Sequence, residues 1–577
     1  MNNSIPYKLG WGNGFICISG PDNLLKDLLR IPGAAKAEWG VAVPESRAAF
    51  MACEALAAPT QISAGYREAR ARMMSLAKDA VDWAFTSLLM GAKLATPLLP
   101  HQLNTVAFIH MLQGKGCLIA HQPGVGKTRC ALASAYLWRA QRVLVVCPLS
   151  VIPTWKREWE LLWLPPRPFA MSALDAVSVQ ERRTRLIAHG VTPAAWPLIS
   201  CVNYEVIADL ADAVKEYNPD VVILDEASRC KNEKAKVTQS LIPICDKAKH
   251  VLLLNGTPFA NRGAADLWAQ LRMLGKEVVP ESFWQFASAY CNLDLLEVGG
   301  RQLWQPSGCR DPIGLMQRLE PYYFRVTREA IMTLPPTRRI TVELEMTKEQ
   351  RTLYDAVEKD GAGVLGNPLS LDGARVIDIR LHQIAGGHRP EYAPEDAESS
   401  AAEYKLIPFP NNPKTKWLQQ FTIDNLFDNP SVRMVVWCRY LKELNTCLEY
   451  IGDVIGSGRV AAIWGETSNE NIEQLKQSFN SLDPEGVRVL ICQTAKMAFG
   501  HNLPGCSVMV YYSNDWSHLL RIQSEDRARR IGSEGGLTIY DLCCRDSIDG
   551  RILAALQSHQ DFSERMAPQT AGRIEEH

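Results

Sequence analysis

A short glycine-rich segment, Gly124 to Thr128, holds the first residues of this chain that could do chemistry. In loops of the form GxxxxGK[ST], successive backbone N–H groups wrap phosphates, the lysine neutralises the β and γ oxygens, and the hydroxyl binds Mg²⁺. The segment lies between an apolar run, CLIA, and a helix-forming stretch, which is the context such a loop requires. His121 stands where the pattern has its first glycine. The spacing favours an ATP site over a chance Gly-Lys-Thr, with these residues on the nucleotide: Gly124, Val125, Gly126, Lys127 and Thr128.

Two carboxylates follow a buried apolar run further along the chain. The run VVIL, residues 221–224, is followed by Asp225 and Glu226. Asp225 can hold Mg²⁺ through water, and Glu226 can orient and deprotonate the attacking water. A strand that ends in Asp-Glu could alone be a structural turn. Because the phosphate loop belongs to the same series of strands and helices, we interpret the pair as the hydrolytic half of an ATPase site.

A pair of arginines near the end of the chain could supply the remaining charge. Arg527 and Arg530 are spaced i, i+3 in the segment QSEDRARRIG, so on a helix they share one face. Phosphoryl transfer places negative charge on the γ oxygens, and an arginine delivered to that charge can be worth roughly 10³ to 10⁵ in rate. The alternative is a solvated basic face. We predict that both arginines complete the ATPase site from a second lobe.

The elements that position these residues form two alternating series. From residue 97 to about 335, the runs CLIA, RVLVVCP, PLISCV, DVVILDE and HVLLLNG alternate with helical stretches, and a second series begins near 414 with VRMVVWC. Continuous apolar runs interleaved with helices indicate parallel sheets covered on both faces. Residues 339–346 alternate with period two and predict a strand, residues 348–359 predict a helix, and about 365–413 is expected to be mostly loop.

The predicted fold class is α/β, with two RecA-like parallel-sheet lobes in tandem behind a small α+β N-terminal domain. The expected divisions are an accessory domain at 1–60, a helical connector at 61–96, lobe 1 at 97–335, a strand and helix linker at 336–413, lobe 2 at 414–560 and a tail at 561–577.

Composition sets limits but does not decide the function. A formal net charge of −1 over 577 residues means that any nucleic-acid site must be a local basic surface. The 16 cysteines include no CxxC pair and are interpreted as small buried apolar residues in a reducing compartment. No apolar run approaches the 18 or more residues of a membrane span, and the N-terminus has no signal-peptide pattern. No membrane association is expected.

Over about 97–555, a series of segments resembles, in the same order, the motifs of the Snf2-type members of helicase superfamily 2. Within that family, the sequence of the chain's motifs is most similar to that of compact phage and bacterial members. The matching segments are LPHQ at 99–102, HQPGVGKT at 121–128, CPLSVIPTW at 147–155, DEASRCKN at 225–232, NGTPFAN at 255–261, FRVTR at 324–328, VVWC at 435–438, GHNL at 500–503 and QSEDRARRIG at 523–532.

The resemblance implies an ATP- and Mg²⁺-dependent enzyme that translocates along double-stranded DNA and remodels or displaces DNA-bound proteins or DNA junctions. It places Gln102 on the adenine, Thr128 and Asp225 on the metal, and Arg527 and Arg530 on the nucleotide as arginine fingers. It also implies DNA contacts without sequence readout at Ser150, Tyr204, Asn261, Arg439 and Thr494, each of which could instead be a core or surface residue.

Two other functions stay open. A strand-separating superfamily 2 helicase would need a separation pin, and none is recognisable in the sequence. An ATP-gated DNA-binding module is disfavoured because the catalytic lysine, acidic pair and arginines are all present. The expected state is a monomer on DNA, with DNA-bound proteins as further partners, in the cytoplasm of a bacterial or phage-infected cell, or in the nucleus of a eukaryote.

Some positions depart from the family. Ser228, Ile472 and Ser533 stand where many members have histidine, arginine and glutamine, and none of the three has a phosphate or metal role. The short stretch between the lobes leaves little room for the insertions of chromatin remodellers, so nucleosomes are not the expected substrate. Residues 28–44 resemble the accessory domain of annealing-helicase-like members, although a cap on the first lobe is the alternative. Trp155 and Trp159 are interpreted as core residues.

Overall fold

The computed structural model describes residues 8–12, 15–19, 35–37, 40–44, 61–62 and 94–565, with gaps at 113–114, 166, 176, 192–196, 259–262, 299–300, 329, 332–336, 360–372, 393–403, 498–502 and 529–535. The connector expected at 61–96 and the expected tail lie almost entirely outside these residues. The chain divides into two compact units. Unit 1 comprises Met1–Leu295, Trp304–Ile331 and Arg565–His577, and unit 2 comprises Leu296–Leu303 and Met332–Glu564.

The N-terminal segment forms a five-stranded mixed sheet. Its strands are β1 (Lys8–Gly12), β2 (Phe15–Ser19), β3 (Ala35–Ala37), β4 (Gly40–Pro44) and β5 (Gln61–Ile62). The spatial order is β3-β4-β2-β1-β5, and only β1 and β5 pair in parallel. The β part of the expected α+β domain is therefore present, and the rest of residues 1–60 lies outside the described residues.

A seven-stranded sheet, parallel at each described pairing, forms the core of unit 1. Its strands are β6 (Gly116–Ile119), β7 (Arg142–Cys147), β8 (Ala170–Ala173), β9 (Leu198–Asn203), β10 (Val221–Asp225), β11 (His250–Leu254) and β14 (Tyr323–Phe324). Their order is β14-β6-β11-β10-β7-β9-β8. The central strands are buried along their length, because their Val, Ile and Leu side chains are covered on both faces. β12 (Asn292–Val298) and β13 (Arg301–Ser307) form a separate two-stranded sheet.

The α-helices described in this part of the chain are α1 (Pro100–Met111), α2 (Lys127–Leu137), α3 (Ile152–Leu162), α4 (Val179–Val191), α5 (Ala211–Tyr217), α6 (Lys236–Lys247), α7 (Trp268–Leu274), α8 (Phe283–Tyr290) and α9 (Pro312–Leu319).

A six-stranded parallel sheet forms the core of unit 2. Its strands are β15 (Thr337–Leu344), β18 (Met434–Cys438), β19 (Val460–Ile463), β20 (Val489–Gln493), β21 (Val508–Tyr511) and β22 (Leu537–Cys544), in the order β15-β22-β21-β18-β20-β19. The described α-helices here are α10 (Lys348–Lys359), α11 (Gly373–Ala385), α12 (Pro413–Thr422), α13 (Leu441–Ile455), α14 (Asn469–Asn480), α15 (Thr494–Met497), α16 (His518–Glu525) and α17 (Ile548–Arg565). The prediction of two parallel-sheet α/β lobes is confirmed.

The segment between the two series is more ordered than its composition suggests. The strand predicted at 339–346 is β15, which pairs in parallel with β22 from Thr337 to Leu344 as an edge strand of the second sheet. Much of the stretch expected to be loop is α11 and a hairpin of β16 (His388–Tyr392) and β17 (Tyr404–Pro408). Leu381 and Ile384 of α11 are buried with Tyr354 of α10 in a core cluster. The flanking Pro, Asn and Glu residues concealed this amphipathic helix from a composition-based prediction.

The cysteines in the described part of the chain are mostly buried, as their apolar surroundings in the sequence predict. Fourteen cysteines in the described part of the chain are free, and all but Cys309 are buried. Among the described residues, no helix is both long enough and apolar enough to cross a membrane, and no cluster of His, Cys, Asp and Glu could hold a metal ion by itself.

Candidate active site

The phosphate loop lies where the sheet topology of unit 1 brings chemical groups together. β6 leads into the loop and β10 ends in Asp225, and the two strands are separated in the sheet only by β11. The carboxyl ends of parallel strands lie at one edge, where open α/β sheets bind their ligands. The phosphate loop and the acidic pair are therefore at the same edge of the sheet.

Two glycines give the loop its shape. Gly124 has φ +86° and Gly126 has φ +93°, both in the left-handed region that side chains disfavour. A Cβ at Gly126 would lie 2.1 Å from the side-chain nitrogen of Gln102. The backbone angle therefore favours glycine at 126, and the side chain of Gln102 occupies the place that a Cβ would take. The helix α2 begins at the next residue, Lys127, so its first backbone N–H groups are available to phosphate oxygens.

The helix that carries Gln102 braces this loop. Gln102 Nε2 donates a hydrogen bond to the carbonyl oxygen of Val125 at 3.3 Å, and His101 Nε2 lies 2.9 Å from the same oxygen. Gln102 Oε1 accepts from the backbone N–H of Leu99 at 3.0 Å. The structure thus brings Gln102 to the loop, and its role on the adenine stays a prediction. The contact between His101 and Val125 was not predicted, because nothing in the sequence distinguishes His101 from an exposed residue of the helix.

We expect Gln102→Ala to raise the KM for ATP about tenfold, which corresponds to the loss of one or two hydrogen bonds. The kcat should change less than twofold, because Gln102 does not reach the carboxylates. The measurement is steady-state hydrolysis of ATP and GTP, and the preference for ATP should fall with the rise in KM. Gln180→Ala, on the exposed face of α4, is the control. An unchanged KM would remove Gln102 from nucleotide recognition.

His121 is buried, and its ring joins the phosphate loop to two other segments by hydrogen bonds. Thr105 Oγ1 donates to the carbonyl of His101 at 2.7 Å, so its other contact, at 2.8 Å, is accepted from His121 Nε2. His121 Nδ1 in turn accepts from the backbone N–H of Val326 at 3.1 Å. Burial lowers the pKa of His121 well below its usual value, and nearby Lys127 and His101 lower it further. The ring is therefore neutral and carries its proton on Nε2.

Lys127 lies across the loop that precedes it. Its Nζ donates to the carbonyl oxygen of His121 at 2.8 Å and lies 3.4 Å from that of Gln122. Thr128, the next residue, is half-buried in the first turn of α2. The hydroxyl of Thr128 and the carboxylate of Asp225, at the same edge of the sheet, suit Mg²⁺, which keeps several waters and takes further oxygens from substrate phosphates. The residues present therefore fit the metal that the phosphate loop implies.

Asp225 and Glu226 occupy different environments although they are adjacent. Asp225 is buried, and its Oδ2 accepts from the indole Nε1 of Trp155 at 2.9 Å. Burial raises the pKa of Asp225, while Lys127 and the hydrogen bond from Trp155 oppose the rise. Glu226 has φ +54°, a left-handed angle that is uncommon for a residue with a side chain and is typical of functional sites. The two adjacent carboxylates therefore differ in burial and in backbone conformation, which suits separate roles.

Trp155 shows what the sequence concealed. It is fully buried, which confirms its interpretation as a core residue, but it is also the donor that fixes Asp225. Tyr204 is likewise buried, with its hydroxyl donating to the backbone carbonyl of Asp225 at 2.8 Å. This arrangement argues against a direct DNA contact at Tyr204. The signal for Trp155 was an aromatic donor in the helix that follows the CPLS segment.

The arginine segment lies in unit 2 and is described in part. Arg527 is buried, and its Nε donates to the carbonyl oxygen of Gln523 at 2.9 Å. Its backbone carbonyl accepts from the N–H of Leu503 at 2.9 Å, which ties the segment to the GHNL motif. Arg530 lies outside the described residues, as does Asn261. The finger roles of both arginines stay predictions.

The other predicted DNA contacts differ in accessibility. Ser150 is half-buried in the turn between β7 and α3, and Arg439 is one-quarter exposed directly after β18. Thr494 is buried, and its hydroxyl lies 3.4 Å from the carbonyl oxygen of Cys438. The guanidinium of Arg439 lies 3.3 Å from His382 Nδ1 and 3.5 Å from a carboxylate oxygen of Asp515. Ser150 and Arg439 are therefore the described candidates that a DNA backbone could reach.

A buried carboxyl in α13, that of Glu443, makes stability depend on pH. Burial raises the pKa of Glu443 to about 7, against the opposing effects of Ser513 and Lys414. Its pKa is higher in the folded than in the unfolded chain, so its contribution to stability is full below the unfolded value and is lost as the pH rises through 7. We expect the Tm of the wild type to fall between pH 5 and pH 8 by about 3 °C more than that of Glu443→Gln. Parallel slopes for the two proteins would contradict this assignment.

The chain matches two family models. Residues 101–383 match the SNF2-related domain, and residues 414–532 match the helicase conserved C-terminal domain. Together the two ranges cover more than two thirds of the chain.

Curated relatives match over most of the chain. The bovine (Bos taurus) DNA annealing helicase and endonuclease ZRANB3 is 26% identical over 469 residues, covering 79% of this chain and 39% of the relative. The human SWI/SNF-related matrix-associated actin-dependent regulator of chromatin subfamily A member 1 is 24% identical, covering 79% of this chain and 42% of the relative. The chain thus spans about two fifths of the length of these relatives. Among solved structures, the Sulfolobus solfataricus SWI2/SNF2 ATPase core in complex with dsDNA matches at 19% identity and a TM-score of 0.36, covering 83% of this chain and 95% of that one.

Proposed function

The chain belongs to the Snf2-type family of superfamily 2 ATPases, and from this premise we propose that it is a DNA-dependent ATPase that translocates along double-stranded DNA. The movement would displace or remodel DNA-bound proteins or DNA junctions. The observation that carries the proposal is the arrangement at one edge of the sheet in unit 1. There the GVGKT loop, Asp225 and Glu226 provide the groups that ATP hydrolysis requires.

The roles follow from the chemistry of each side chain. Backbone N–H groups from Gly124 to Thr128 hold the phosphates, and Lys127 neutralises the β and γ oxygens. Thr128 and Asp225 would hold Mg²⁺, and the bound ion would supply positive charge to the phosphates. The indole of Trp155 keeps Asp225 oriented at 2.9 Å. Glu226 accepts the proton of the attacking water, and Arg527 and Arg530 stabilise the charge that develops on the γ-phosphate.

DNA recognition would depend on local charge. The net charge of −1 supplies no general attraction to a polyanion, so contacts at Ser150, Asn261 and Arg439 would have to position the phosphate backbone. Phosphate contacts carry no base information, so binding is expected to be independent of sequence. Each phosphate contact releases counterions, and the affinity should therefore fall steeply with salt. The name of the bovine relative, a DNA annealing helicase, supports DNA as the partner.

The test is ATPase activity with matched nucleic acids. We expect blunt duplex DNA to stimulate hydrolysis at least tenfold over the activity without DNA, and clearly more than the same length of single strand. Duplexes of unrelated sequence should stimulate equally, and Arg439→Ala should raise the duplex concentration needed for half-maximal stimulation. Equal stimulation by single strands, or none by either, would reject the duplex translocase.

A further inference from the structure

We propose that Arg521 is a positioning residue for the arginine segment that follows it, because its guanidinium fixes α16 to the ends of the strands in unit 2. The inference rests on the proposed function, in which Arg527 acts on the γ-phosphate. Arg521 itself would touch neither nucleotide nor DNA.

The guanidinium of Arg521 is enclosed by acceptors from three parts of the unit. Its Nη2 donates to Asp541 Oδ2 at 2.9 Å, and its Nη1 also bonds the other oxygen of Asp541 on β22. Nη1 donates to Asn514 Oδ1 at 2.6 Å, just beyond β21, and Nε donates to Glu525 Oε1 at 2.7 Å. The side chain is only 10% exposed. The bidentate pairing of Arg521 with Asp541 fixes both the distance and the relative orientation of the two side chains, which a single point charge cannot do.

An aromatic ring holds the same helix face. The guanidinium of Arg521 lies 3.7 Å from the ring centroid of Tyr511, the last residue of β21. The hydroxyl of Tyr511 lies 2.5 Å from Ser524 Oγ, about one turn further along α16. Tyr511 therefore contacts the helix at two successive positions, and rotation of α16 about its axis would break both contacts.

The charges around Arg521 balance. Asp541 and Glu525 are both largely buried, and Glu525 also pairs with Arg339 of β15. Two cations thus face two carboxylates. Burial alone would lower the pKa of Arg521, but Asp541, Tyr511 and Glu525 outweigh it and keep the guanidinium charged. A buried set of ion pairs contributes little to the free energy of unfolding compared with apolar packing. We therefore expect these ion pairs to matter mainly by fixing the orientation of α16.

The position of α16 determines where the backbone of Arg527 lies, because hydrogen bonds join Arg527 to the end of the helix. The backbone N–H of Asp526 bonds the carbonyl of Ile522 at 2.9 Å, and that of Arg527 bonds the carbonyl of Ser524 at 3.2 Å. A hydrogen-bonded turn therefore follows directly on α16, and it joins the end of the helix to Arg527. Arg527 follows the last residue of α16, Glu525, by two positions in this turn, so a tilt of α16 at Arg521 would move the Arg527 backbone with it. A misplacement of about 1 Å at a reacting group can cost roughly 10²-fold in rate.

The experiment compares Arg521→Lys with wild type at saturating duplex DNA. Lysine keeps the charge and the stem but cannot engage Asp541, Asn514 and Glu525 together. We expect kcat to fall about tenfold while the KM for ATP and the duplex affinity stay within twofold. Asp541→Asn should shift kcat in the same direction, and its nearly unchanged shape guards against a folding failure in the first variant. Arg545→Lys is the matched control, because Arg545 bonds Glu343 and Glu345 on the exposed surface.

Two further outcomes decide between positioning and simple support. In an Arg527→Ala background, Arg521→Lys should lower the residual kcat no further, because the residue that it positions is gone. A lower Tm with an unchanged kcat would show that Arg521 only supports the fold, and would overturn the inference. If Arg527→Ala is inactive but Arg521→Lys is normal, this inference alone fails. If Arg527→Ala retains full turnover, the proposed role of Arg527 fails, and the inference fails with it.

Discussion

Replacement of Glu226 by glutamine is expected to lower the kcat of ATP hydrolysis about 10³-fold while ATP still binds. Glutamine keeps the shape of the side chain but cannot accept the proton of the attacking water, and general-base catalysis of this kind is worth about 10² to 10⁴ in rate. The left-handed turn at Glu226 is retained, since the backbone constraint is the same for both side chains. The measurement is single-turnover hydrolysis together with the binding of a fluorescent ATP analogue.

The control for this substitution is Glu216→Gln on the exposed face of α5. It removes one carboxylate from the same unit but leaves the sheet edge intact, and its kcat should equal that of the wild type. If Glu226→Gln kept more than a tenth of the wild-type turnover, another group would have to be the base. The same substitution should trap the ATP-bound protein on duplex DNA, which a gel-shift at constant salt can detect.

The second large effect is expected at the arginines. Arg527→Ala and Arg530→Ala should each lower kcat by roughly 10³-fold or more, because each substitution removes a positive charge that stabilises the negative charge developing on the γ-phosphate in the transition state. The KM for ATP should rise much less, since that charge develops mainly as the bond breaks. Steady-state kinetics with duplex DNA measure both parameters.

The buried position of Arg527 calls for a second variant. Its Nε bonds the carbonyl of Gln523, so alanine removes a structural hydrogen bond as well as a charge. Arg527→Lys keeps the charge and should recover part of the lost rate, whereas Arg545→Ala on the surface should have no effect. Normal turnover in both Arg527→Ala and Arg530→Ala would refute a site completed by these arginines.

The two sheets and the chemistry-bearing segments were accessible from the sequence for a physical reason. Strands buried on both faces of a sheet must be continuously apolar. The apolar runs that end at Ile119 and Asp225 have this pattern, and so they predicted buried strands. The glycines at 124 and 126 could be assigned to a phosphate loop from the sequence, because the loop needs left-handed backbone angles that glycine adopts readily. The approach of Gln102 to Gly126 could not be foreseen, since it depends on how α1 packs.

Side-chain hydrogen bonds between distant segments were the main part that the sequence did not reveal. Trp155 was correctly expected to be buried, but its bond to Asp225 requires α3 and β10 to be placed first. His121 was identified only as a missing glycine, although its ring joins Thr105 to Val326. β15 shows a similar limit, because period-two alternation predicts a strand but does not identify the strand with which it pairs.

Translocation without strand separation is the central claim, and displacement of a triplex-forming third strand tests it most directly. The assay uses one duplex with a third strand bound downstream and, beside it, a forked duplex of the same sequence, each with ATP. We predict ATP-dependent release of the third strand by the wild type, none by Glu226→Gln, and an intact forked duplex in both cases. Unwinding of the fork, or retention of the third strand during active ATP hydrolysis, would contradict the account.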